Sequence, residues 1–174
     1  MLWKKHVFNS ETETLRKCQK ILTVRYSNHN THITHTEPLD MGVDSDTLAG
    51  WLADYDQDNI TIGVVASHSS LQILHGARVE GFRTLGIAVG ENRRRFYKAF
   101  PGAEPDEWLM LENYREMLDH AEWFRERNVV IIPHGSLVEY LGSSNYRELQ
   151  VPTFGNRGIL HWESSRERQR RWLE

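Results

Sequence analysis

Two apolar runs in this chain end in the same kind of turn, and that repetition restricts the folds open to it. Ile60-Thr61-Ile62-Gly63-Val64-Val65 leads into Ser67-His68-Ser69-Ser70-Leu71, and Val129-Val130-Ile131-Ile132 leads into Pro133-His134-Gly135-Ser136-Leu137. Each run is short and apolar, as a strand covered on both faces must be. Each turn opens onto a segment of helical period. Between the two copies, Thr84–Val89, closed by Gly90, and Glu107–Leu111 read as further strands separated by helical or polar stretches. Strand and helix alternate throughout. This predicts an α/β layer fold, Rossmann-like, with a mostly parallel sheet and helices on both faces. Both His turns then fall at the carboxyl edge of the sheet, where such folds bind ligands.

The helical periods are explicit. Leu48, Trp51, Leu52 and Tyr55 recur at i, i+3, i+4 and i+7 after a cap at Asp44, Ser45 or Asp46. Leu71, Leu74 and Ala77 line a second helix, with Gly81 placed to end it. Tyr114, Met117, Leu118, Ala121 and Phe124 predict one long amphipathic helix that stops near Asn128. Arg93-Arg94-Arg95 reads as a solvated loop, the alternative being a reach over the pocket to a phosphate. The charged segment 162–172 reads as a helix with little apolar face of its own.

Residues 1–40 differ in character and read as an extension of uncertain order, with Met41 opening the folded unit. His29, His32 and His35 fall three apart, but no helix aligns them and no carboxylate or Cys accompanies them, so no metal site is expected there. Cys18 is the only cysteine, which excludes an internal disulfide and a Cys-based zinc cage and agrees with a reducing cytoplasm. No apolar run approaches the ~20 residues that cross a bilayer, and no signal peptide is evident. A formal net charge of -3 argues against general nucleic-acid binding.

The chemistry expected of the two turns follows from helix starts. Their unpaired N–H groups and partial positive charge suit a phosphate or carboxylate. Ser69, Ser70 and Ser136 add hydroxyl donors, Gly135 lets a ligand approach the backbone, and His68 and His134 can donate, accept or take a proton near neutrality. The plain alternative is that these serines only cap helices and the histidines only pack. Val151-Pro152-Thr153-Phe154-Gly155-Asn156-Arg157 adds a bend at Gly155 and donors at Asn156 and Arg157, unless Asn156 merely caps the next helix. No G-x-G-x-x-G, P-loop or G-x-S-x-G elbow is present, so dinucleotide binding, P-loop chemistry and Ser-His-Asp hydrolysis lack their usual signatures. No catalytic residue can be assigned.

Ser67-His68-Ser69-Ser70-Leu71, Glu80-Gly81-Phe82, Pro133-His134-Gly135-Ser136 and Val151–Arg157, with Trp162-Glu163-Ser164, occur in the order found in the archaeal formate-dependent AICAR ligases, or FAICAR synthetases. From Met41 to the C-terminus the chain resembles the N-terminal domain of that family, a pre-ATP-grasp type domain in the ATP-grasp superfamily. The resemblance implies that His68 and Ser136 bind AICAR. It also implies that the full enzyme joins formate to the amine of AICAR with ATP and Mg, through a formyl phosphate, on the way to IMP. The ATP-grasp part has no counterpart in this sequence. The expectation is therefore a part that binds AICAR but neither ATP nor Mg alone and is incomplete for catalysis by itself, being either a fragment of a split or truncated gene or a chain that needs a separate ATP-grasp domain as partner. A stand-alone module binding a ribonucleotide or sugar phosphate is the alternative.

Overall fold

The computed structural model describes residues 43–155 and 157–173, with side chains to residue 170. Strands β1 (Thr61–Val65), β2 (Arg83–Val89), β3 (Glu107–Leu111) and β4 (Val129–Ile131) form one sheet in the order β3-β2-β1-β4. All three pairings are parallel. The helices are α1 (Ser45–Ala53), α2 (Ser70–Val79), α3 (Glu91–Tyr97), α4 (Ala121–Glu126), α5 (Gly135–Leu141), α6 (Ser143–Glu148), α7 (Arg157–Glu163) and α8 (Arg166–Leu173).

Alternation along the strands sorts the core into two layers. Val65, Leu85, Ile87, Leu111, Val129 and Ile131 join Phe124 of α4, Leu137 and Leu141 of α5 and Tyr146 of α6 in one cluster. Val64, Ala66 and Ala88 join Leu74 of α2 and Tyr97 of α3 in the other. The strands read from the sequence are present, and helices cover both faces.

β1 and β4 approach closely because β1 carries Gly63. A Cβ there would sit 2.6 Å from Val129 Cγ1 and 2.8 Å from Ile131 Cδ1. At the other end of this pair, the buried Tyr55 hydroxyl donates to Val129 O at 2.9 Å. Asn128 takes a positive φ of 52° just before β4, a conformation that Asn tolerates better than most residues.

Two local expectations are corrected. The arginine run is not a loop: α3 contains all three residues, with Glu91 in its first turn and Arg94 and Arg95 in its last. That order complements the helix dipole. The long helix over 114–128 is instead a 3-10 turn, Tyr114–Met117, followed by the short α4. Glu116 O accepts the backbone N–H groups of Asp119 and His120, and His120 Nδ1 lies 2.8 Å from the same oxygen. The crowded carbonyl marks the break. The extension 1–40, the boundary at Met41, Cys18 and the three spaced histidines lie outside the described residues. Among those described, no helix is long and apolar enough to cross a membrane.

Candidate functional site

The chain places β2 and then β3 on one side of β1, and returns to place β4 on the other. The order therefore reverses between β1 and β4, and a reversal of this kind opens a crevice beyond the carboxyl ends of the strands. The two His turns follow the two strands that flank it. His134 is stitched across the gap: its Nε2 lies 3.0 Å from Val65 O at the end of β1. A carbonyl only accepts, so the proton sits on Nε2 and Nδ1 carries a bare lone pair. Nδ1 is buried and has no partner among the described residues. Burial holds the imidazole below the usual histidine range, and the neighbouring His68 adds to the effect against the bond to Val65.

This shift has a sign. A folded pKa below the unfolded 6.5 means that the fold favours neutral His134. The contribution is full above the unfolded value and is lost as pH falls through the folded one. Thermal midpoints measured from about pH 7.5 to about pH 5 are expected to fall less in His134→Gln than in the parent, because Gln does not titrate. Identical acid limbs would contradict this.

The first turn is held from beneath. Ser70 is fully buried. Its hydroxyl accepts from Ser67 N–H at 2.9 Å and donates to Ser67 O at 2.8 Å. Tyr97 of α3 donates to the same Ser67 O at 2.7 Å and touches Ser70 Oγ. Ser70 thus shapes the turn from the inside, and His68 above it is exposed. Ser69 is the N-cap of α2, yet its side chain makes no cap hydrogen bond. In the second turn His134 is the N-cap of α5, again without a side-chain cap bond. Gly135 is exposed and Ser136 buried, and the Ser136 hydroxyl has no hydrogen-bond partner among the described residues. The repeated phrase therefore yields two unlike serines: Ser70 is bonded inward, and Ser136 is not.

Arg93 also reaches this edge. Its Nη1 donates to Ala66 O, just past β1, at 3.0 Å, and its guanidinium carbon lies 4.8 Å from the Tyr140 ring centroid. Tyr140 stacks in turn on Tyr114, with centroids 5.1 Å apart and planes 15° apart. Residues 152–154 run along the outer side of β4: Ile131 N–H donates to Pro152 O at 3.0 Å, and Phe154 N–H donates to Ile131 O at 2.9 Å. Arg157 is buried behind this segment. Its Nε donates to Thr153 Oγ1 at 3.1 Å, and its two terminal nitrogens donate to Leu149 O and Val151 O. Asn156 lies outside the described residues.

Sequence reasoning overlooked Tyr97, Tyr114 and Tyr140. For Tyr140 a signal existed, since it stands one helical turn beyond Ser136; the other two are brought in only by tertiary packing. Among the described residues no three His, Cys, Asp or Glu side chains gather as metal ligands.

Residues 62–174 match the family described as "Protein of unknown function (DUF1246)". The 5-formaminoimidazole-4-carboxamide-1-(beta)-D-ribofuranosyl 5'-monophosphate synthetase 1 of Methanosarcina mazei is 58% identical over 123 residues, covering 71% of this chain and 34% of that protein. The synthetase of Archaeoglobus fulgidus is 42% identical over 136 residues, covering 77% and 36%. The crystal structure of an IMP biosynthesis protein PurP from Thermococcus kodakaraensis aligns with a TM-score of 0.52 at 37% identity, over 64% of this chain and 35% of that one. The chain spans about a third of the length of the curated relatives it matches. On these matches it belongs to the DUF1246 family.

Proposed function

We propose that residues 41–174 form the AICAR-recognising part of a FAICAR synthetase, and that formylation needs the remainder of such an enzyme. The observation that carries this reading is the placement of both His turns at the strand-order reversal between β1 and β4. A ribonucleotide 5'-monophosphate offers that crevice a dianion and a heterocycle rich in N–H groups. The dianion suits the partial positive charge at the start of α2 and the hydroxyls of Ser69 and Ser136. His68 stands exposed at the mouth to donate to it. The bare Nδ1 of His134 accepts an N–H or O–H from the ligand, which the bound carbonyl at Nε2 forces it to do. Gly135 admits the ligand to the backbone, and Asn156 contributes from the following segment. Ser70 and Arg157 act through the backbone they hold.

We assign ATP and Mg to the remainder of such an enzyme, where they would supply the activated formyl group. The test is a calorimetric titration of the chain with AICAR. Binding is expected, and His68→Ala is expected to weaken it by about 1–3 kcal/mol, the loss for one hydrogen bond to a charged group. Adding ATP and formate to the chain alone should consume no ATP. Formate-dependent ATP consumption by the 174-residue chain, or an unchanged affinity in His68→Ala, would contradict the reading.

A further inference from the structure

We propose that Arg93 grips the anionic group of the ligand in this crevice, with Tyr140 and Tyr114 as positioning residues that hold its guanidinium in place. The proposal rests on the ribonucleotide reading above and deepens it. Three adjacent arginines share α3, but their surroundings differ. Arg94 is exposed and faces Glu91 at 3.6 Å, and Arg95 is exposed. Arg93 is half-buried and turns back over the end of β1. It arises from the layer that holds α2 and α3, and it meets Tyr140 of α5, which belongs to the opposite layer. The guanidinium therefore lies across the carboxyl edge of the sheet, between the helices that begin at the two His turns.

Such a placement is costly for a cation unless something compensates it. No carboxylate pairs with Arg93 among the described residues; it meets the Ala66 carbonyl, and it meets Tyr140 through both the ring and the hydroxyl. The face attracts the cation and the Tyr114 stack behind it stops the ring from turning away. A guanidinium carries five N–H donors in a planar fork, of which Ala66 O and the Tyr140 hydroxyl accept one each. A fork tied by two of its donors still has N–H groups to offer, and a pair of them matches two oxygens of a phosphate or carboxylate. Of the two, the ribonucleotide reading selects the phosphate monoester.

The experiment compares three ligands by calorimetry on the full chain: AICAR, its dephosphorylated nucleoside, and ribose 5-phosphate. Arg93→Gln is expected to weaken both phosphorylated ligands about 10- to 100-fold, as for loss of charge-assisted hydrogen bonds, and the nucleoside less than about twofold. Arg93→Lys keeps the charge without the fork and is expected to recover part of the loss; it decides the matter if Arg93→Gln does not fold. Tyr140→Leu is expected to weaken the phosphorylated ligands selectively and by a smaller factor. An equal loss for nucleotide and nucleoside would show that Arg93 only ties α3 to α5, and no loss would also overturn the proposal. If the parent ignores AICAR but binds ribose 5-phosphate in an Arg93-dependent way, the ribonucleotide reading falls and the Arg93 assignment stands. Binding of none of the three overturns both.

Discussion

Phe124→Ala is expected to destabilise the fold by about 3–5 kcal/mol, read as a shift of the urea midpoint without a change of slope. Phe124 is the buried residue of α4, a helix six residues long. So short a helix has no stability of its own and persists through the apolar face that it buries. The ring is fully buried in the larger of the two clusters, with Trp123 packed edge-on at 5.5 Å. Removing it leaves a cavity beneath the segment that delivers the chain to β4, so affinity at the crevice should fall together with stability. Phe124→Leu, which retains most of the volume, is expected to lose much less. Equal stability in the alanine variant would mean that α4 is held by something other than this ring.

Arg157→Ala is expected to cost about 2–4 kcal/mol. Its guanidinium bonds Thr153 Oγ1 and the carbonyls of Leu149 and Val151, all within the segment that flanks β4. Truncation strips those carbonyls of a donor and removes a buried stem, while relieving the cost of a cation whose acidity burial has raised. The first two effects outweigh the third because two oxygens lose a donor for the one charge removed. Arg157→Lys keeps the charge but lacks the fork, and should restore less than half of the loss. Urea unfolding of the three proteins checks the order. A selective loss of ligand affinity in Arg157→Ala at unchanged stability would instead make Arg157 a ligand donor.

The strands were legible because their signal is local. Runs such as Val129–Ile131 and Thr84–Val89 are apolar, β-branched and bounded by turn residues, and a parallel sheet then brings both His turns to one edge. The limits of reading are equally physical. The Tyr114–Phe124 period persists across a break, because hydrophobic spacing does not register His120 Nδ1 crowding Glu116 O. The arginine run concealed a helix whose signal, an acidic start and a basic end, was present in Glu91, Arg94 and Arg95. The division of labour between Ser70 and Ser136 was not readable at all. It depends on Tyr97, 27 residues beyond Ser70, which brings its hydroxyl against the first turn while nothing comparable reaches the second.

The distance along the chain between the two sides of the crevice governs when the crevice comes into being. Val65 and His134 are 69 residues apart, whereas β1 to β3 are joined by successive neighbouring crossovers. Contacts between remote residues form slowly, because loop closure is paid before the contact rewards it. A nascent chain can thus pair β1, β2 and β3 while the far side of β1 is still bare, presenting an apolar strand edge that invites aggregation. Arrival of β4 covers that edge and completes the crevice in one event. A ligand held between the two turns binds only the finished topology, so by mass action it draws molecules out of the open-edged form.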